Sequence, residues 1–171
     1  SLGTTGETPT LTKQEKLDIV NFTLDTINNR VPVVVGIGGN NTKEVVSTVE
    51  SFPLDKVAAV LSAAPYYSKP SQEGIFQHYK ALDAASPLPI IMYNVPGRTG
   101  QNVSGETTVR IAKECKKIFA TKEACGNFDQ INYIIKNKPA DFMVISGDDP
   151  ITLPMMACGA EGLISVVANA Y

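Results

Sequence analysis

A chain of 171 residues, 43% hydrophobic and 19% charged with a formal net charge of −2, has the makeup of a single globular domain spanning residues 1–171. The near-neutral balance leaves no electrostatic footprint for nucleic acid, and no apolar run approaches the roughly 18 residues of a membrane helix. Three widely spaced cysteines and one histidine suggest neither a disulfide frame nor a metal site, and point to reduced thiols in a cytoplasmic protein; His78, beside Gln77, is expected on a helix surface.

Taken in order, residues 12–15 (TKQE) form a capping box, and Leu17, Val20, Leu24 and Ile27 recur behind it at helical spacing until Asn28-Asn29. Residues 31–37 (VPVVVGI) are a β-branched run of the kind buried on both faces of a parallel sheet. Asn41 and Glu44 open a helix burying Val45, Val46 and Val49. Residues 57–63 then read as a strand, and Ser71 caps a helix carrying Ile75, Phe76, Tyr79 and Leu82. A strand at 89–93 precedes the loop 94–100, and Ser104 starts a helix with Val109 and Ala112. The apolar run Ile118, Phe119, Ala120 delivers Lys122 to its end, and Asn127 caps the helix of Ile131, Ile134 and Ile135. A strand at 142–145, a helix entered through residues 146–149 with Pro150 at its first position, and a strand at 162–166 complete the chain.

About seven strands, counting a stub at the start, thus alternate with about six helices. Such alternation means a parallel α/β sheet, either a (β/α)8 TIM barrel or an open doubly wound sheet. Loops after strands are rich in Gly, Tyr, Thr, Arg and Asp, whereas loops before strands are short and bland. In a barrel those loops ring one mouth, where active sites sit, so the barrel is the expectation. A complete barrel needs about 250 residues, and this chain opens on Ser1 in a glycine turn. The barrel is therefore expected to be incomplete, without its first strand, most of its second and its closing helices.

A lysine at the end of an apolar strand is placed for amine chemistry. Its free pKa of roughly 10.4 leaves it an ammonium at neutral pH, but desolvation favours the neutral nucleophile. Carbinolamine steps need a proton shuttle, which a tyrosine or threonine hydroxyl supplies, and an arginine fork suits a carboxylate. Lys122 as amine, Tyr93 as acid and base and Arg98 as carboxylate clamp make a coherent set for keto-acid chemistry. Residues 36–41 (GIGGNN) invite a different reading, as a dinucleotide fingerprint in an oxidoreductase, but Asn41 stands at its third glycine position. A third reading is a non-catalytic packing or interaction piece, since open strand edges invite association.

Residues 3–7 (GTTGE), 65–74 (PYYSKPSQEG), 93–100 (YNVPGRTG), 122–124 (KEA), 146–149 (SGDD) and 162–166 (GLISV) together resemble the dihydrodipicolinate synthase family, over the whole chain and in order. The resemblance implies a pyruvate-dependent lyase of lysine biosynthesis by the diaminopimelate route. Such an enzyme condenses pyruvate with aspartate β-semialdehyde on a lysine Schiff base, with no separate cofactor or metal. It implies that Lys122 forms the Schiff base, Tyr93 transfers protons, Thr4 relays them and Thr5 holds the pyruvate carboxylate. Arg98 matches the group binding the semialdehyde carboxylate, and Gly147 and Ile164 match pocket-lining positions. The related N-acetylneuraminate lyases lack an arginine at the position of Arg98. Tyr67 matches a tyrosine inserted into a neighbouring subunit's site, which implies a homodimer or homotetramer. Asn40, Glu44 and Tyr66 match a lysine-binding feedback site, where Lys13 and Lys16 stand in place of the histidines of lysine-sensitive members. Two cations there oppose a bound lysine ammonium, so weak or absent lysine inhibition is expected.

Overall fold

A computed structural model describes residues 1–171. Six strands, β1 (Val34–Gly36), β2 (Ala59–Ala63), β3 (Ile90–Asn94), β4 (Ile118–Glu123), β5 (Met143–Ser146) and β6 (Gly162–Leu163), pair in sequential order. Every pair is parallel. Seven helices accompany them: α1 (Lys13–Ile27), α2 (Thr42–Ser51), α3 (Gln72–Ala85), α4 (Pro96–Thr99), α5 (Gly105–Glu114), α6 (Phe128–Asn137) and α7 (Thr152–Ala157).

The strand order decides between the two architectures. A doubly wound sheet reverses direction at a switch point and carries helices on both faces. Here the order never reverses. Val33, Val35, Ile37, Val60, Ile90, Met92 and Ile118 pack against Val20, Val45, Val49, Ile75, Phe76, Tyr79, Leu82 and Ile111 of the helices. The opposite face gathers Leu61, Ile91, Tyr93, Val95 and Ala120, joined by Val34, Phe119, Met143, Ile145 and Ile164, all from strands or the loops that follow them. One face covered by helices and one lined only by the sheet is the arrangement of a (β/α) barrel, present here as a curled part of one.

Local chemistry explains where most helices begin. Thr12 and Glu15 exchange both bonds of the capping box, Glu15 N–H to Thr12 Oγ1 at 3.2 Å and Thr12 N–H to Glu15 Oε2 at 2.7 Å. Asn41, Ser71, Ser104 and Asn127 each cap the next helix through a side-chain oxygen. Helix α3 buries Ile75, Phe76, Tyr79 and Leu82 almost completely. Each such side chain contributes about 1.5–3 kcal/mol.

Several expectations need correction. The initial stub is not a seventh strand. The Ser1 ammonium donates to Val34 O at 2.8 Å and Gly36 N–H donates to Ser1 O at 2.9 Å, but Leu2 turns at φ 54 and residues 4–6 wind into a 3-10 turn. Residues 31–37 yield a strand of only three residues whose inner side is half-buried, because β1 stands at the sheet edge and pairs only with β2. The last strand stops after Leu163 because Asp149 accepts bonds from the Ser165 hydroxyl and from Val166 N–H, turning the chain away. The helix after residues 146–149 starts with a 3-10 turn at Asp149–Ile151 and has no side-chain cap. His78 is buried rather than on the surface, with 2% exposure. It lies on the side of α3 that meets α2, and its Nδ1 shares a hydrogen bond of 2.8 Å with the Thr42 hydroxyl.

Candidate active site

Strands β3 and β4 are the most deeply enclosed, and both end in chemistry. Their register pairs Tyr93 with Lys122 and Asn94 with Glu123. Alternation along the strands sends Tyr93 and Lys122 to the inner face and Asn94 and Glu123 to the helix side. Lys122 Nζ stands 4.3 Å from the centre of the Tyr93 ring. Both residues are enclosed, with exposures of 6% and 3%. Burial pulls the Lys122 amine below the ordinary lysine range, helped by the Arg98 guanidinium and opposed by Asp149. Burial pushes the Tyr93 phenol up, against a downward pull from the Thr4 hydroxyl and Arg98, while Asp148 and Glu123 add to the rise. The pair is thus an amine whose deprotonation is eased beside a phenol inclined to stay protonated. That combination provides a nucleophile and a proton donor at one point.

Tyr93 is itself held from behind. The buried Tyr79 hydroxyl on α3 donates to Ser62 O at 2.9 Å on β2 and accepts from Tyr93 N–H at 3.4 Å on β3. Gly147, just after β5, leaves room for the lysine stem, since a Cβ there would lie 2.7 Å from Lys122 Cε. Ile164, after β6, packs half-buried with the inner-face cluster and donates its N–H to Ser146 O at 2.9 Å.

A cleft of about 980 Å³ opens beside this pair. Thr4, Tyr93, Arg98 and Tyr66 line it, and so do Lys13, Lys16, Asn40 and Glu44 from α1, the loop after β1 and α2. The residues expected at the catalytic mouth and those expected at a separate lysine site therefore border one continuous space. Lys122 and Gly147, one and two strands further along, do not line it. Arg98 sits exposed in the last turn of α4. Thr5 is exposed on the 3-10 turn of residues 4–6 and does not border the cleft. Tyr67 does not reach the site within this chain. It is 86% exposed, on a loop where Tyr67 and Lys69 both hold left-handed backbone at φ 69 and φ 46. Each such residue costs on the order of 1 kcal/mol, and the Tyr67 N–H bond to Thr99 O at 3.3 Å helps hold the loop in place.

The glycines of residues 36–41 have packing reasons. A Cβ on Gly36 would lie 2.0 Å from Leu2 O, and one on Gly38 would lie 3.2 Å from Ala63 N. The first is a close backbone approach that only glycine permits, so the loop needs no nucleotide to explain it.

Sequence reasoning passed over the polar side of the same two strands. Glu123 is fully buried, and Asn94, Asn102, Gln130 and Gln72 form a connected amide network around it. The available signal was an Asn and a Glu, each one residue beyond a catalytic-type side chain, at positions where the sheet turns toward its helices.

Fold and site define a parallel (β/α)-barrel protein with a desolvated lysine at the C-terminal end of a strand, beside a buried tyrosine. The profile of the dihydrodipicolinate synthetase family matches residues 1–171, and the chain belongs to that family. It is 55% identical over 170 residues to the 4-hydroxy-tetrahydrodipicolinate synthase of Parabacteroides distasonis, covering 99% of this chain and 57% of that one. The crystal structure of dihydrodipicolinate synthase from Thermotoga maritima superposes with a TM-score of 0.94 at 42% identity, over 98% of this chain and 58% of that one. The Acinetobacter baumannii enzyme, solved as a complex with pyruvate, gives 0.92 at 41% identity, over 98% and 57%. The chain thus spans a little over half the length of the relatives it matches. No helix is long and apolar enough to cross a membrane.

Proposed function

We propose that the protein is a 4-hydroxy-tetrahydrodipicolinate synthase, a cytoplasmic lyase that joins pyruvate to L-aspartate β-semialdehyde on the way to diaminopimelate and lysine. The observation that carries this reading is Lys122 Nζ, desolvated and 4.3 Å from the Tyr93 ring. The neutral amine attacks C2 of pyruvate, and the carbinolamine loses water as Tyr93, relayed through Thr4, protonates the departing oxygen. The iminium then gives up a C3 proton to form an enamine. C3 bonds to the aldehyde carbon of the semialdehyde as the iminium re-forms, and the aldehyde oxygen takes a proton to become the hydroxyl. The substrate's own amino group displaces Lys122 by transimination, closing the ring and freeing the enzyme. One water leaves overall, and the Schiff base is the only covalent carrier required.

Arg98, exposed on α4 at the cleft, is placed to clamp the semialdehyde carboxylate with its planar fork. Its presence favours the synthase over an N-acetylneuraminate lyase. Thr5, Gly147 and Ile164 complete the pyruvate pocket, Thr5 by turning toward the carboxylate on binding. The exposed Tyr67 supports a homodimer or homotetramer in which it enters a neighbouring site.

Treatment of the full-length protein with pyruvate and borohydride should add mass to the peptide holding Lys122. An unmodified Lys122 would refute the Schiff-base reading. Arg98→Ala should raise KM for the semialdehyde by about tenfold or more and leave adduct formation with pyruvate intact.

A further inference from the structure

The Glu123 carboxylate is an unusual occupant of the helix side of a sheet. It is fully buried, and no cation lies within salt-bridge distance of it. Its partners are all N–H donors. Asn94 Nδ2 reaches both oxygens at 2.9 and 3.2 Å, Cys125 N–H reaches Oε1 at 2.9 Å, and Gln130 Nε2 reaches Oε2 at 3.4 Å. The orientation of the Asn94 amide is settled by its other end, where Oδ1 accepts Val103 N–H at 3.0 Å. Asn102 bridges Asn94 and Gln130, and Gln72 on α3 joins Asn102 O to Ser104 N–H. One carboxylate therefore anchors amides from the ends of β3, α3 and α6 and from the loop before α5. Burying a carboxylate without a cation rarely adds net stability. Such networks instead specify one arrangement among close alternatives.

A close alternative exists at this point. Ile90 pairs with Ile118 but Ile91 pairs with Ala120, so Phe119 is an extra residue, a bulge at the start of β4. Without it Asn94 would pair with Lys122, and the lysine would point among the helices while Glu123 faced the mouth. Bulges re-aim side chains in this way near active sites. The two-pronged contact of Asn94 with Glu123 forms only in the bulged register, directly behind the Tyr93–Lys122 pair. We propose that Asn94 and Glu123 are positioning residues that lock the register of β3 against β4 and so hold the Lys122 amine beside the Tyr93 ring. The proposal rests on Lys122 being the reactive amine of the proposed function.

Two variants test it in the full-length protein. Glu123→Gln keeps the volume and sets an NH2 group against donors. Glu123→Met keeps the burial without the acceptor oxygens and leaves Asn94 and Gln130 their bonds to Asn102 and Val103. Ile131→Val, a buried change outside the network, serves as a control for lost stability. Two rates are read: pyruvate-borohydride trapping at Lys122, and acetylation of Lys122 by limiting acetic anhydride relative to the exposed Lys113. Both are expected to fall by about tenfold or more in the Glu123 variants, and to stay at the wild-type value in Ile131→Val at a matched loss of Tm. Wild-type rates in a folded Glu123→Met protein, or an equal fall in Ile131→Val, overturn the proposal. If wild-type Lys122 traps no pyruvate, the Schiff-base reading fails, and the acetylation ratio alone still decides whether the pair positions the lysine.

Discussion

Gly147 and Lys122 occupy each other's space: a methyl group on the glycine would stand 2.7 Å from Lys122 Cε and 3.0 Å from Cγ. The glycine's own N–H is fixed to Glu123 O at 2.9 Å, so the backbone has little freedom to retreat. Gly147→Ala should displace the lysine stem instead, at a stability cost of about 1–3 kcal/mol. Trapping of pyruvate on Lys122 should slow by about tenfold or more, measured against Tm on the same sample. An alanine variant that traps at the wild-type rate would show that the stem is free to move aside.

Lys122 should weigh against stability near neutral pH. Its folded pKa lies below the unfolded value of 10.5, so the unfolded chain binds more protons between the two and stability rises with pH across that window. Lys122→Met removes the buried amine. Its Tm should exceed the wild type's at pH 7, and the gap should narrow as pH approaches 10.5. A gap of constant size would point to packing alone.

His78 carries the opposite liability, at acid pH. Burial lowers its pKa to about 4 from 6.5, so the folded state holds it neutral while the unfolded chain takes a proton. The stability it supports is present above pH 6.5 and is lost as pH falls toward 4, by up to about 3 kcal/mol. Urea unfolding of His78→Gln should show a shallower loss over that range than the wild type. Parallel curves for the two proteins would mean that His78 is protonated in place.

The lysine feedback site expected from the resemblance would lie in the cleft that joins Tyr93 and Arg98 to Lys13, Lys16, Asn40 and Glu44. Glu44 is suited to hold a lysine ammonium, but the two lysines on α1 add like charge to the same space. At a separation of about 6 Å and an effective dielectric of about 20, each opposes the ligand by on the order of 2–3 kcal/mol before screening. The full-length protein should therefore be inhibited by lysine weakly or not at all. Half-maximal inhibition at micromolar lysine would overturn this, and Lys13→His with Lys16→His should raise sensitivity.

If Tyr67 carries protons in a neighbouring site as proposed, Tyr67→Phe should lower turnover far more than it weakens pyruvate binding. Equal losses in both, or full turnover by a stably monomeric wild-type protein, would argue against a site shared between subunits.

The order of elements was legible in the sequence because it depends on local chemistry. Thr12, Asn41, Ser71, Ser104 and Asn127 each sit where a helix must satisfy free N–H groups, and each caps one. Lys122 and Tyr93 were also legible, as polar side chains at the ends of apolar runs. What pairs them is not local. Whether Lys122 meets Tyr93 or points among the helices depends on one extra residue, Phe119, and on the Asn94–Glu123 contact across two strands 29 residues apart. His78 was misplaced for the same reason: its helix reads as exposed on that side until α2 packs against it. Capping and periodicity are written within a few residues, whereas register and burial are set by neighbours that only the folded chain brings together.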